Sequence, residues 1–240
     1  MSPWWGEHIH RYEYALSLIE RPSKILDIAC GNGFGANLLC SDGKHETIGG
    51  DLSVEAIKYC NATFQSNRNI SFRVMDGTAL PFDSDTFDLI TSFETIEHTT
   101  AYVQMLKEFK RTLKRGGILC LSTPNIRVNS PGGKVLNPYH TQEFTLLELQ
   151  EILQSLFGKV LLMGQKYTRY DGVGFMLKIG SRVERLMYRR GIRKTPLRIQ
   201  NAIMQKIIKK EIYPTSSDFG IVELEQEIQD CKTFIAVCRI

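Results

Sequence analysis

The chain has 240 residues, 42% of them apolar, and a net charge of +4: it can bury one sizeable core with an elaboration, but hardly two full domains. No apolar run reaches the length of a membrane span, and the opening "MSPWWGEHIHRY" is too polar for the centre of a secretory signal, so a cytoplasmic location is expected. Cys30, Cys40, Cys60, Cys120, Cys231 and Cys238 stand singly, mostly inside apolar runs, which argues against a disulfide frame or a CxxC zinc site and for reduced core thiols.

In chain order, "GEHIHRYEYAL" reads as a helix that packs Ile9, Tyr12 and Leu16. Strand-like runs follow at "KILDIA" (24–29), "ETIGGD" (46–51), "ISFRVM" (70–75), "FDLITSF" (87–93) and "GILCLST" (117–123), with helical patterns at 35–41, 54–66 and 102–113 between them. The loop "TPNIRVNSPGGKVLNP" (123–138) is irregular, and "KVLLMGQKY" (159–167) is a sixth strand. An excursion over about 168–215 follows, with two amphipathic patterns, "GVGFMLKIGSRVERLMYRR" and "PLRIQNAIMQKIIKK", before the closing run "TFIAVC" (233–238). Strands separated by single helices predict parallel pairing through right-handed crossovers: an α/β, Rossmann-like sheet covered by helices on both faces, with a helical insertion before the last strand. The whole of 1–240 reads as a single domain. Between Lys178 and Lys210, eleven Lys/Arg stand against Glu184 alone, about +10, which leaves about −6 for the remainder. Such a segment is either a solvated helical face or a docking surface for phosphate, nucleic acid or an anionic membrane.

Sheets of this kind bind ligands beyond the carboxyl ends of their strands, and there the chemistry-bearing residues gather. Asp27 and the glycines Gly31, Gly33 and Gly35 lie where the first strand gives way to a helix, so that backbone can approach a ligand and free N–H groups face it. The spacing is GxGxG and not the GxGxxG of nicotinamide enzymes. Asp51 ends the second strand about twenty residues on, where a carboxylate can accept both hydroxyls of a ribose, and Asp76 follows the third strand.

This ordered set resembles the class I S-adenosylmethionine (SAM) dependent methyltransferases over about residues 7–170, with 233–238 matching the family's closing strand. The resemblance implies a seven-stranded sheet whose final strand is antiparallel. It places the methionine part of SAM in the loop Ala29 to Gly33, with Asp27 and Phe93 nearby; the ribose on Asp51, beside Leu52; and the adenine beside Asp76 and Gly77. The N-terminal segment resembles relatives that modify sugars and surface polysaccharides, which implies that Arg11 or Tyr12 contacts the methionine carboxylate.

Methylating a hydroxyl requires that its proton leave, which a base or a metal ion can arrange. In "FETIEHTT", Glu94, Glu97 and His98 have the spacing i, i+3, i+4, so a helical turn at the strand end would set all three on one side, and His140 in "NPYHTQEF" is expected to return to the same edge. These four hold Mg²⁺ or Mn²⁺, or His98 or His140 acts as a metal-free base or substrate contact, or the group is plain helix capping and solvated acids. The E-x-x-E-H pattern resembles ubiquinone-pathway O-methyltransferases, and all four positions together resemble small-RNA 3′-end 2′-O-methyltransferases. The expectation is a SAM-dependent O-methyltransferase acting on a small-molecule or sugar/polysaccharide-intermediate hydroxyl, with an acceptor that can be anionic and with 168–215 available for dimerisation. RNA 3′-end 2′-O-methylation and a catalytically inactive SAM-binding regulatory module are the alternatives.

Overall fold

The computed structural model describes residues 5–168, 206 and 215–240; the expected insertion, with its basic helices and dimerisation role, lies almost wholly outside them. Chain contacts divide it into two units, one formed by Arg11–Lys166 with Ile221–Ile240 and the other by Met1–His10 with Tyr167–Gly220. In the second unit, Thr168 donates from its backbone N and its hydroxyl to the Asp218 carbonyl, and Phe219 packs against His10 and Tyr167.

The described helices are α1 (Trp5–Ser17), α2 (Phe34–Leu39), α3 (Val54–Thr63), α4 (Tyr102–Thr112), α5 (Ile126–Asn129), α6 (Leu146–Leu156) and α7 (Glu225–Ile228). The strands are β1 (Lys24–Ile28), β2 (Glu46–Asp51), β3 (Ile70–Val74), β4 (Phe87–Phe93), β5 (Leu113–Pro124), β6 (Lys159–Tyr167), β7 (Phe219–Val222) and β8 (Thr233–Arg239). They form one sheet in the order β3-β2-β1-β4-β5-β8-β6-β7. Among the described residues the sheet therefore has eight strands and not seven, the extra one being the short edge strand β7. β1 to β5 run parallel, and β8 is antiparallel to both β5 and β6, as the resemblance implied.

Apolar side chains alternate across β1, β4 and β5, which is how a sheet covered on both faces is filled. Leu26, Ile90 and Leu119, neighbours across the register, join Leu106 and Phe109 of α4 and Leu149 and Leu153 of α6 in one core. Ile25, Leu89 and Ile118 turn to the opposite face and meet Tyr12 and Ala15 of α1 and Leu39 of α2. All six cysteines are buried and unpaired. No helix among the described residues is long and apolar enough to cross a membrane.

Candidate active site

The loop after β1 places Ala29, Gly31 and Gly33 at φ of 59°, 54° and 75°, a left-handed series that costs Ala29 strain and suits the two glycines. A Cβ on Gly31 would meet nothing within 4 Å, so this side of the loop is open to a ligand. Gly35 has another reason to be glycine: a Cβ there would lie 1.9 Å from Cζ of Tyr12, so it admits the tyrosine ring against α2.

Tyr12 is spent on supporting that loop. Its hydroxyl donates to both oxygens of Asp27 at 3.2 Å, and its ring meets Phe34 and Phe93 edge-on. Asp27 also accepts from the Thr91 hydroxyl at 2.8 Å and from the Ala36 N–H of α2, so it anchors the helix from beneath the loop. Complete burial pushes its pKa up to about 7 against the pull of these donors. Its pKa is raised on folding, so between about pH 4 and 7 the native chain holds a proton that the unfolded chain has released. Stability is therefore expected to fall as pH rises through that window. Denaturant midpoints at pH 5 and pH 8 check this, and Asp27→Asn is expected to shrink the difference.

Asp51 lies beside the same loop, with Oδ2 accepting from Gly31 N and Oδ1 from Ser53 N, both at 2.9 Å. Leu52 next to it is 70% exposed, an apolar surface at a strand mouth, where a flat ring can lie. Asp76 is exposed and ties back to Thr78 through its backbone N and its hydroxyl, while Gly77 lies against Met105.

At the ends of β4 and β5 the structure departs from the expected helical turn. Glu94 has φ of 53°, outside the helical region, and only Ile96–His98 form a short 3₁₀ turn. Glu94 is instead engaged by other partners: its Oε1 lies 3.1 Å from the Arg11 guanidinium and accepts from the Ser122 hydroxyl at 2.7 Å. Arg11 is fully buried, and its Nε donates to Gln165 at 2.8 Å. This is a structural ion pair inside the sheet's edge, and it removes Glu94 from the expected four-ligand set. The Arg11–Glu94 pairing also sets Arg11 to a task inside the protein and not solely at a ligand.

Glu97, His98 and His140 do converge, with one ligand atom from each lying within 4.8 Å of the others. The loop that carries His140 is stitched to the 3₁₀ turn: Thr141 N and Oγ1 donate to the Glu97 carbonyl, and Gln142 Nε2 donates to the carbonyls of Ile96 and Thr99. The two imidazoles pack edge to face at 4.9 Å between centroids. His98 holds its Nδ1 2.8 Å from the Tyr139 carbonyl, so that ring nitrogen carries the hydrogen and Nε2 keeps the lone pair, 3.9 Å from Glu97 Oε1. Glu97 is fully buried; Oε2 accepts from Thr123, whereas Oε1 has no hydrogen-bond partner among the described residues. Burial first, and the Glu94 carboxylate second, push its pKa up to about 8. A buried carboxylate oxygen left without a donor, aimed at a histidine nitrogen, suits a cation.

Residues 26–121 match the model of a methyltransferase domain. Over this segment the chain carries a domain of the class I SAM-dependent methyltransferases. It is 33% identical over 132 residues, 55% of this chain and 50% of the other, to a probable SAM-dependent methyltransferase of Mycolicibacterium smegmatis. It is 34% identical over 102 residues, 42% of this chain and 43% of the relative, to a ubiquinone biosynthesis O-methyltransferase of Coxiella burnetii. The fold also matches a Haemonchus contortus phosphoethanolamine N-methyltransferase solved with S-adenosylhomocysteine (SAH), with a TM-score of 0.62, 17% identity, and coverage of 98% of this chain and 53% of that one. The chain spans about half the length of the first curated relatives it matches. SAM is the cofactor of this family, and the open glycine loop with Asp51 beside it fits such a ligand.

Two parts of the site escaped the sequence reading. Thr123 and Ser122, at the end of β5, receive Glu97 and Glu94, yet nothing in "LSTPN" distinguishes them from ordinary strand residues. Glu143 is the other, three residues after His140 and hydrogen-bonded to it.

Proposed function

We propose that the chain catalyses SAM-dependent methylation of a hydroxyl on a small-molecule or sugar/polysaccharide-intermediate acceptor, assisted by a divalent ion, Mg²⁺ or Mn²⁺, at Glu97, His98 and His140. The observation that carries this is the orphaned, buried Oε1 of Glu97 beside two histidines whose Nδ1 atoms are already committed. The O-methyltransferase among the relatives supports hydroxyl oxygen as the acceptor.

SAM supplies an electrophilic methyl group, and most of what the protein adds is position and exclusion of water. Gly31 and Gly33 present backbone to the methionine part, Asp51 accepts the ribose hydroxyls, and Leu52, Asp76 and Gly77 border the adenine. Tyr12, Asp27 and Phe93 hold the loop from below. A bound divalent ion would acidify the acceptor hydroxyl and hold its oxygen in place. Without an ion, the Nε2 lone pair of His98 is the base that takes the proton.

Chelation tests the reading. EDTA is expected to lower turnover by at least about tenfold, with Mn²⁺ or Mg²⁺ restoring it; unaltered turnover after exhaustive chelation leaves His98 acting alone as base. A second reading, 2′-O-methylation at an RNA 3′ end, draws on the same three residues and on the +10 segment between Lys178 and Lys210. Acceptor affinity separates the two, because RNA binding weakens steeply with salt whereas a neutral sugar or quinol does not.

A further inference from the structure

We infer that Glu143 is a positioning residue that prepares His140 as a ligand, holding the hydrogen on Nδ1 and the lone pair on Nε2. This rests on the metal-assisted reading above. The Glu143 side chain is 1% exposed, and its Oε1 lies 2.8 Å from His140 Nδ1, while Oε2 has no partner among the described residues. A buried carboxylate with a single hydrogen-bond donor costs stability, so its place is better explained by what it does to that donor than by what it adds to the fold.

The backbone leaves Glu143 little freedom. On one side Thr141 and Gln142 are tied to the Glu97 carbonyl; on the other, Phe144 bridges to Asn125 and is buried in the core. The hydrogen-bond pattern around His140 is consistent along its length: the Asn137 amide meets Nε2 at 2.9 Å, which needs a lone pair there, and Nδ1–H donates to Glu143. Exposed Asn137 thus caps the nitrogen that an ion would use, and it has to turn aside when one binds. The two histidines differ in their supports, a neutral carbonyl behind His98 and a carboxylate behind His140. The carboxylate fixes the orientation and tautomer of the His140 ring, as carboxylate–histidine pairs do in metal sites.

Glu143→Gln keeps the shape and removes the charge. Two measurements on the full chain with SAH bound read its effect: ¹⁵N NMR of the histidine rings without metal, and Mn²⁺ binding followed by electron paramagnetic resonance. In the wild type, His140 is expected as the Nδ1–H tautomer; in Glu143→Gln, as a mixture, with Mn²⁺ affinity about 10- to 100-fold lower and SAH affinity unchanged. In a His140→Ala background the same substitution is expected to add nothing, which ties its effect to the imidazole and not to folding. Identical ring spectra, or equal Mn²⁺ affinity where the wild type binds the ion, overturns the role of Glu143. A wild type that takes up no Mn²⁺ overturns the metal-assisted reading and the inference with it.

Discussion

Asp51→Ala is expected to weaken SAH binding by about 100-fold, the loss of two charge-assisted hydrogen bonds to ribose. The carboxylate has a second task that adds to this effect. Its two oxygens already accept from Gly31 N and Ser53 N, so it also holds the glycine loop against the start of α3. Asp51→Asn retains one acceptor oxygen and is expected to fall between the two. Isothermal titration of all three proteins with SAH, beside a thermal melt of each, checks the ordering. Wild-type affinity in Asp51→Ala would remove the carboxylate from the cofactor site.

His98→Ala is expected to lower kcat by about 10²- to 10⁴-fold while SAH affinity stays within about twofold. His98 sits at the centre of the convergence: its ring faces His140, its Nε2 faces the orphaned oxygen of Glu97, and it lies 43% exposed, where an acceptor can reach it. The cofactor loop lies behind β1 and does not depend on it for any hydrogen bond described. Single-turnover assays against SAH titrations separate the two effects, and an unchanged rate would make this histidine a part of the scaffold. Some loosening of the loop over 137–140 is also expected, because the Tyr139 carbonyl loses its donor.

The fold was legible where burial is continuous. β1, β2 and β4 are buried along most of their length and lie within a residue of the expected limits, and β6 also meets its limits although only 163–165 are buried there. β5 starts four residues early, at Leu113, because "LKRG" carries the strand outward through polar residues that have no apolar signature. β7 is four residues long, too short for a period to register. α6 was not among the expected helices, although Thr145 and Glu148 form a capping box at its start and Leu149 and Leu153 are buried. At the site, the spacing of Glu94, Glu97 and His98 predicts one helical face. The positive φ of Glu94 breaks that periodicity, and backbone sign at a non-glycine residue is invisible to a pattern of residue types. His140 does return beside His98 as expected, and what holds it there is a set of hydrogen bonds between loops more than forty residues apart, which the residue pattern does not show.

The placing of β8 governs the order in which this sheet can be completed. It pairs through Ile118 to Pro124 on one side and Lys159 to Gln165 on the other, so the segment nearest the carboxyl end is an interior strand. Until it arrives, β6 has no hydrogen-bonded link to β5, and the flank of β5 stays an open edge. Closure must bridge more than a hundred residues from β5, and contacts of that span form slowly. A half-sheet ending at β5 therefore carries an unpaired rim in synthesis and refolding, the kind of edge at which chains associate.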